Sequence, residues 1–382
     1  MNAGKIFKTD DFPQSPIGER IQPASIDLTL GKKGYRIQAS FLPQTGQNVR
    51  GRMEELEMYD IDLTQGATLE RGAVYLIPLN ENLALPSDVR GRTNPKSSTG
   101  RLDIFTRVIT DNCTRFEEIA PGYHGEMFLE VVPRSFTVKV KTGQRLNQLR
   151  LFKMHHNEEN HHPAEYVETS KLHHYIGAAE LKKLYSSERL LFDARGEFIN
   201  AAERHIGGDG LLMSIDLTSP LGKSAPVGYK AKKNSQVIDL AEEVGAYDPD
   251  DFWEAIHPPK NGRLILEPEE FYIFASKERI RIPLNRAAEM VEFDSGAGEL
   301  RTHYAGFFDP GFGYGKDGSV NGTKAVLEVR PHDVPFIIED GQILFKMKYE
   351  RMLSEPDIWY GSEIGSNYHD QTLRLSKQFR KS

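Results

Sequence analysis

Cysteine is almost absent from this sequence, since Cys113 is the single one among 382 residues. A lone thiol cannot form an internal disulfide and suits a reducing compartment, so we expect a cytoplasmic protein. The fold must then depend on the burial of apolar side chains, for which a chain of this length is sufficient. We expect Cys113 itself to be a packing residue.

Long apolar runs and an excess of positive charge are also missing. No stretch approaches the length needed to span a bilayer, and residues 1–5 lack the apolar core of a signal peptide. The formal net charge is -7, whereas a protein that neutralises a nucleic acid needs a basic face. The composition therefore predicts neither a membrane partner nor a nucleic-acid partner, and it still allows a small anion in a local basic pocket.

Short alternations of apolar and polar residues, separated by turn residues, fill the first part of the chain. Residues 73–78 and 136–143 are examples, and in each the alternation turns one face of a strand inward. Few stretches have a helical period. The pattern predicts an all-β fold for residues 1–152.

The composition changes at residue 153. Half of the 12 histidines form three adjacent pairs between residues 155 and 174, followed by a helical pattern over residues 178–184. Adjacent histidines point in different directions on a strand, and no cysteine or carboxylate completes a ligand set at a familiar spacing. We interpret residues 153–207 as a polar, histidine-rich linker with a helix, and a bound metal is the alternative.

The remainder repeats the first part at low identity, which predicts a second copy of the fold over residues 208–352 and a tail over residues 353–382. Residues 248–256 form an insertion in the second copy and have the pattern of a capped helical turn. The register of the repeat follows from three pairs of matched segments: 25–28 with 214–217, 69–75 with 266–272, and 143–146 with 341–344.

One turn has the composition of an anion site. Residues 96–102 read KSSTGRL, so two cations and three hydroxyls surround a glycine. Short hydroxyls and backbone N–H groups can bind phosphate oxygens, while Lys96 and Arg101 neutralise their charge. The same residue types also occur in ordinary surface turns, so the flanking sequence has to decide. We call residues 96–102 the phosphate turn.

The flanking motifs favour the anion site. Residues 19–31 read ERIQPASIDLTLG, residues 121–130 read PGYHGEMFLE, and residues 143–149 read GQRLNQL. Together with the phosphate turn and the tail motif YGSEIGSNYHDQ at residues 360–371, these segments resemble the dCTP deaminase and dUTPase superfamily. In that family the turn holds a triphosphate, a hairpin holds the base and sugar, and a Leu-Glu pair supplies the catalytic glutamate.

The resemblance implies a fold and an activity. The fold would be two tandem distorted jelly-roll-like β barrels of the dUTPase-like type, in a homo-oligomer with threefold or pseudo-threefold packing. The activity would be hydrolytic deamination of dCTP to dUTP and ammonia, supplying dUTP for dTMP synthesis. A glutamate would activate the water, since one cysteine cannot complete the His/Cys/Cys zinc set of other deaminases. Mg²⁺ would enter with the triphosphate, and no cofactor would be bound by the protein itself.

The family motifs are divided between the two copies. The first copy has the phosphate turn, but Ala120 stands where the family hairpin has an aspartate. The second copy keeps the hairpin, with Asp309 and the following Glu328, but its residues 292–296 are acidic where the first copy has the phosphate turn. The two losses are complementary. In the family, turn and hairpin of one site come from neighbouring barrels, which predicts a mixed site in this chain.

Glu328 is the expected catalytic base of the mixed site, and Glu130 of the first copy is the alternative. Phe307 and Phe312 beside the sugar would leave no room for a 2′-hydroxyl, and Asn367 stands where the family often has a lysine. The other expected catalytic residues are Ser97, Arg101 and Ala305. The expected nucleotide-binding residues are Lys96, Ser97, Ser98, Arg101, Phe307, Asp309, Tyr360, Asn367 and Gln371.

Two other functions stay open at this point. The hairpin also fits a dUTP diphosphohydrolase with a water held by Asp309, or a bifunctional enzyme that performs both steps. A non-catalytic nucleotide-binding regulatory protein built from degenerate copies is the second alternative. Residues 314–321 are rich in glycine and fit a hairpin tip better than a phosphate cradle.

Overall fold

The structure, a computed structural model, describes residues 7–8, 17–154, 175–218, 225–292, 300–302, 306–362 and 372–381. Strands predominate in these residues, as the alternation predicted. The chain separates into two compact units by its internal contacts. Unit 1 contains residues 1–21, 25–173 and 234–243, and unit 2 contains residues 22–24, 174–233 and 244–382. The domain boundaries drawn from the sequence stay predictions.

Unit 1 is built from short strands with a single longer helix. Its elements are β1 (Phe7–Lys8), β2 (Ile26–Leu28), β3 (Lys33–Ile37), α1 (Val49–Leu56), β4 (Glu57–Asp62), β5 (Ala67–Leu69), β6 (Tyr75–Ala84), β7 (Val89–Pro95), α2 (Ser97–Gly100), β8 (Ile104–Ile109), β9 (Glu118–Ile119), β10 (His124–Pro133), β11 (Val138–Val140) and β12 (Asn147–Lys153).

The second part of the chain begins with a helix and then follows the same plan. Its elements are α3 (Ala178–Glu188), β13 (Leu191–Phe192), α4 (Ala202–His205), β14 (Ile206–Gly207), β15 (Gly210–Ser214), β16 (Gly228–Ala231), β17 (Ile238–Asp239), α5 (Pro249–Phe252), β18 (Trp253–Ile256), β19 (Arg263–Leu266), β20 (Tyr272–Ile280), β21 (Arg286–Glu292), β22 (Leu300–Thr302), β23 (Phe307–Phe308), β24 (Thr323–Pro331), β25 (Phe336–Glu339) and β26 (Ile343–Arg351).

The sheets of the two units have matching strand orders. Unit 1 has β4-β3-β6-β10-β8 in one sheet and β2-β12-β7-β9 in another, and unit 2 has β18-β16-β20-β24-β22 and β14-β15-β26-β21-β23. The ribbon β5-β11 corresponds to the ribbon β19-β25, and β17 adds a parallel strand to β11 in unit 1. The internal repeat is therefore a repeat of topology as well as of sequence.

Hydrogen bonds support two of the three matched pairs of segments. The Tyr75 hydroxyl accepts from the Glu70 N–H at 3.1 Å, and the Tyr272 hydroxyl accepts from the Glu267 N–H at 2.9 Å. The Gln144 and Gln342 side chains likewise each accept a backbone N–H three residues upstream, both at 3.0 Å. The glycines before these glutamines have φ of 78° and 80°, a left-handed conformation that favours glycine.

The match of residues 25–28 with 214–217 was wrong by four residues. The Glu81 carboxylate accepts from both the N–H and the hydroxyl of Thr29, and the Glu278 carboxylate accepts in the same way from Ser214. Ser214 therefore corresponds to Thr29, and Asp216 corresponds to Gly31 rather than to Asp27. Strands repeat their apolar faces every two residues, so a shift of four preserves the pattern and escapes a reading of sequence alone.

The helix predicted within the linker belongs to the core of unit 2. Helix α3 buries Leu181, Leu184 and Tyr185 in the apolar cluster of that unit. The spacing of three to four residues places these side chains on one helical face. The three histidine pairs fall within residues 155–174 and lie outside the described residues, so the metal alternative is not tested.

The insertion contains the predicted capped turn and also anchors the end of the tail. Asp248 caps α5 by accepting from the Asp250 N–H at 3.0 Å. The Phe379 ring packs 5.4 Å from Phe252 and 5.9 Å from Trp253, between ring centroids. The Tyr247 N–H donates to Gln378, and the Arg380 N–H donates back to Tyr247. Across the described ranges, no helix is long and apolar enough to cross a membrane.

Candidate active site

The phosphate turn is a short helical turn directly after β7. The N–H groups of Thr99 and Gly100 donate to the Lys96 carbonyl at 2.8 and 3.0 Å, and the Arg101 N–H donates to Ser97 at 3.1 Å. These three N–H groups donate to carbonyls within the turn. They are therefore not available to a phosphate, although the sequence analysis expected backbone N–H groups of this turn to bind one. The side chains of Lys96, Ser97, Ser98 and Arg101 are the groups that the sequence predicts for the phosphates.

A buried carboxylate that sequence reasoning missed lies beside this turn. Asp27 on β2 accepts from the Lys96 ammonium at 2.5 Å, and the Arg145 guanidinium lies 3.7 Å away. The Lys96 N–H also donates to the Leu146 carbonyl at 3.0 Å. Asp27 stands in the SIDL segment that carries the family resemblance, but nothing in the spacing links it to a residue 69 positions away.

The hairpin of the second copy packs against the start of the tail. The Tyr360 N–H donates to the Pro310 carbonyl at 2.8 Å, and the Tyr360 and Phe312 rings lie 5.3 Å apart. Gly311 has φ of 92°, and an added Cβ would lie 3.0 Å from the Tyr360 nitrogen. The glycine therefore permits the close approach. The structure thus places Tyr360 against the Asp309-Pro310-Gly311 hairpin.

The two hairpin phenylalanines expected beside the sugar have different environments. Phe312 belongs to the apolar core of unit 2 and packs edge-on against Phe308 at 4.9 Å. Phe307, on the alternate face of β23, is outside that cluster. Packing in the core therefore accounts for the position of Phe312, and the expected contact of Phe307 with the sugar stays a prediction. The following loop is a hairpin tip, since the Gly322 N–H donates to the Gly313 carbonyl at 3.0 Å.

Glu328 lies in the middle of β24 and is 2% exposed. Its strand neighbours Leu327 and Val329 point into the core of unit 2, so the alternation of the strand turns the Glu328 side chain to the other face. Lys324 on that same face forms an ion pair with Asp216. The Glu328 carboxylate is therefore buried but does not face the apolar core.

Glu130 has the position in unit 1 that Glu328 has in unit 2. Glu130 pairs in register with Leu76, which corresponds to Ile273, the register partner of Glu328. Glu130 is also buried, but Arg107 donates to its Oε1 atom through two nitrogens, at 3.0 and 2.5 Å. The Arg107 guanidinium stacks 3.4 Å from the Phe116 ring centroid. The first-copy carboxylate is therefore neutralised by an ion pair.

Glu117 fills the first-copy hairpin where the second copy has Gly306. The Thr93 N–H donates to the Glu117 carbonyl, and the corresponding Met290 N–H donates to Gly306. The Glu117 carboxylate accepts from the Val108 N–H at 2.9 Å and the Thr93 hydroxyl at 3.0 Å. Burial raises the pKa of this carboxyl to about 7, although these hydrogen bonds oppose the shift. Sequence reasoning missed Glu117.

Some predicted site residues have no structural test. Ala305, Asn367 and Gln371 lie outside the described residues, and so do residues 293–296 of the acidic segment. In the part of the chain that the structure describes, no group of three or more histidine, cysteine, aspartate or glutamate side chains could hold a metal ion.

The chain contains the same β fold twice. One copy has a turn rich in hydroxyls and cations, and the other has a Gly-Phe-Phe-Asp-Pro-Gly hairpin followed by a buried carboxylate on a strand. Together these features define a protein of the dCTP deaminase and dUTPase class. Family comparison is more specific. The profile of the 2′-deoxycytidine 5′-triphosphate deaminase N-terminal domain matches residues 3–155, and that of the C-terminal domain matches residues 177–379. The chain belongs to the dCTP deaminase family.

A solved structure and curated proteins are similar to this chain. The crystal structure of 2′-deoxycytidine 5′-triphosphate deaminase from Agrobacterium tumefaciens is 41% identical, with a TM-score of 0.77, over 93% of this chain and 96% of that chain. The dCTP deaminase, dUMP-forming, of Methanothermobacter thermautotrophicus is 31% identical over 29% of this chain. The dCTP deaminase of Haloarcula marismortui is 30% identical over 34% of this chain. The matches span 54% and 65% of these two curated proteins.

Proposed function

We propose that this protein hydrolytically deaminates dCTP to dUTP and ammonia, with Glu328 as the general base. The observation that carries the proposal is the position of Glu328, which is buried on β24 after the Asp309-Pro310-Gly311 hairpin. Glu130 has the same register position in unit 1 and is held in an ion pair with Arg107. A carboxylate paired with a guanidinium is a poor proton acceptor, because the nearby positive charge favours the ionised form of the carboxyl.

The proposed reaction needs a proton acceptor and a proton donor at one carboxyl. Glu328 takes a proton from the water that attacks C4 of cytosine and delivers it to N3 of the ring. It then moves the proton of the new C4 hydroxyl to the amino group, so that the C4–N bond breaks, the C4 carbonyl forms and ammonia leaves. A side chain held on a strand suits this exchange, because general acid–base catalysis requires a fixed position near the reacting atoms. Ser97, Arg101 and Ala305 are the other groups that we propose for this step.

The substrate would be held by groups from both copies of the sequence. We assign the triphosphate, with the Mg²⁺ that it brings, to Lys96, Ser97, Ser98 and Arg101, because cations and hydroxyls are the usual ligands of phosphate oxygens. Phe307 and Asp309 would contact the deoxyribose and favour dCTP over CTP. Tyr360, Asn367 and Gln371 of the tail would close over the nucleotide.

The finer description of the fold belongs to the same proposal. Each unit has two main sheets of antiparallel strands and a separate ribbon, which supports a distorted jelly-roll-like barrel. We further propose a homo-oligomer in which these barrels pack with threefold or pseudo-threefold symmetry. Light scattering of the purified protein would give the number of chains.

A second candidate function is deamination coupled to loss of pyrophosphate, with dUMP as the product. The observation that favours it is the name of the Methanothermobacter relative, which is dUMP-forming. Incubation with dCTP and Mg²⁺ separates the candidates, because ammonia without pyrophosphate supports dUTP as the product and ammonia with pyrophosphate supports dUMP. If neither product forms, the regulatory, non-catalytic alternative replaces both.

The assignment of the base is tested by two matched substitutions, Glu328→Gln and Glu130→Gln. We expect Glu328→Gln to abolish ammonia release while dCTP still binds, since the amide keeps the shape but cannot accept the proton. Glu130→Gln should retain most of the activity. Ammonia release and calorimetric binding of dCTP measure both properties. If Glu130→Gln is the inactive variant, the assignment of Glu328 is wrong.

A further inference from the structure

The Asp27 carboxylate lies close to two cations, Lys96 and Arg145, at the edge of the phosphate turn. Its carboxylate is buried on β2 and accepts from Lys96, the residue directly before α2, at 2.5 Å. Arg145, in the segment between β11 and β12, lies 3.7 Å from the other oxygen and also reaches Glu19 at 4.0 Å. Because an unpaired buried carboxylate is unfavourable by several kcal/mol, these cations are held where Asp27 places them.

Strand β12 connects the position of Asp27 with the start of the phosphate turn. Gln148 on β12 lies opposite Asp27 in the strand register. The Gln148 side chain accepts from the Ser25 hydroxyl at 3.1 Å and donates to the Pro95 carbonyl at 3.5 Å. Pro95 is the last residue of β7, one position before Lys96. One strand therefore sets both the place of Asp27 and the start of the phosphate turn.

The repeat supplies an internal comparison. In unit 2, Leu212 pairs with Lys346 in the register position where unit 1 pairs Asp27 with Gln148. The same register places Ile343 at the position of Arg145. The second copy thus builds an equivalent sheet with an apolar residue in place of the carboxylate. The sheet therefore forms without a carboxylate at this position. We infer that Asp27 acts on a feature that only the first copy has, and the phosphate turn is such a feature.

We propose that Asp27 is a positioning residue for phosphate binding, which holds the Lys96 ammonium over the phosphate turn. This inference rests on the proposed function, because it takes a triphosphate as the ligand of that turn. A carboxylate near a triphosphate has two opposite effects. Its own charge repels the phosphates, and its hold on Lys96 orders a flexible cation that would otherwise lose side-chain entropy on binding.

The direction in which Asp27→Asn changes the KM for dCTP separates these two effects. If repulsion dominates, Asp27→Asn lowers the KM for dCTP. If positioning dominates, Asp27→Asn raises KM by about tenfold, the loss expected for one charge-assisted hydrogen bond, with kcat changed less than twofold. We expect the rise in KM. An unchanged or lowered KM would overturn the inference.

A double-mutant cycle with Lys96→Gln tests whether Asp27 acts through Lys96. If it does, Asp27→Asn has no further effect on KM once Lys96 is replaced, so the double variant matches Lys96→Gln alone. Additive effects would refute the coupling. If Asp27→Asn does not fold, Asp27→Glu replaces it in the cycle, because one added methylene displaces the charge and should also raise KM.

Asp216→Asn is the matched control, since Asp216 and Lys324 form a buried aspartate–lysine pair in unit 2. We expect it to lower the melting temperature without raising KM, and an equal rise in KM would attribute the Asp27 effect to lost stability.

Calorimetric binding of Mg²⁺-tripolyphosphate provides a readout that needs no deamination. Tenfold weaker binding by Asp27→Asn would support the inference even if the wild-type protein released no ammonia. Unchanged tripolyphosphate binding would refute the inference while leaving the proposed function intact.

Discussion

The Glu117 carboxyl gives a prediction about pH and stability. It lies inside unit 1, where burial raises its pKa to about 7 from an ordinary value of 4.5. The groups that face it are the Val108 N–H, the Thr93 hydroxyl, the Asn147 amide and the Arg92 charge. Replacing Glu117 with glutamine keeps the shape, because the amide oxygen can accept from Val108 and the amide nitrogen can donate to Thr93.

The expected magnitude follows from the difference between the folded and unfolded pKa values. A difference of about 2.5 units, at about 1.36 kcal/mol per unit, gives about 3 kcal/mol. Because the folded pKa is the higher one, this stability is fully present below about pH 4.5 and is lost as the pH rises through about 7. A neutral glutamine avoids the loss. The unfolding free energy of Glu117→Gln minus that of the wild-type protein should therefore increase by about 3 kcal/mol as the pH rises from 4.5 to 8.

The measurement is urea unfolding of the wild-type protein and Glu117→Gln at intervals between pH 4.5 and pH 8, with equal m-values as the condition for comparison. Glu126→Gln is the control in the same unit, since Glu126 pairs with Arg50 on the surface. Loss of such a pair changes stability by about 1 kcal/mol or less. A difference between Glu117→Gln and the wild-type protein that stays constant over this pH range would refute the argument.

The remaining predictions concern the phosphate turn and the tail anchor. Arg101→Ala should lower kcat/KM for dCTP by the equivalent of about 3–5 kcal/mol, the effect of removing one partner of a buried charge pair, and near-normal turnover would show that the turn is only structural. Phe379→Ala should reduce the unfolding free energy by about 3–5 kcal/mol in urea, because the ring contacts Phe252 and Trp253. Leu353→Ala, which removes a side chain that is 73% exposed, is its control and should change stability little.

The sequence predicted features that depend on local pattern. Alternation identified the strands, and the pattern of residues 248–256 identified the capped turn. The contact of Tyr360 with Pro310 was not predicted, because the resemblance named Tyr360 only as a nucleotide-binding residue of the tail.

Interactions between distant segments could not be predicted in the same way. The Arg107 partner of Glu130, the Asp27 partner of Lys96 and the β17 strand on β11 all depend on strand register. Register leaves no signal in the spacing of a single sequence. The four-residue error at Ser214 has the same origin, because a shift of two or four residues keeps every apolar face in place.

The equivalence of Glu130 and Glu328 has an evolutionary consequence. In an oligomer of identical single-copy subunits, a substitution at this position changes every active site at once, so selection must judge it in all of them together. In a duplicated chain the two positions mutate independently. Arg107 could therefore be acquired beside Glu130, and a side chain could be acquired at Glu117, without altering Glu328 or Gly306. The internal repeat thus lets the first half carry Arg107 and Glu117 while the second half keeps the carboxylate and hairpin that we propose for the site.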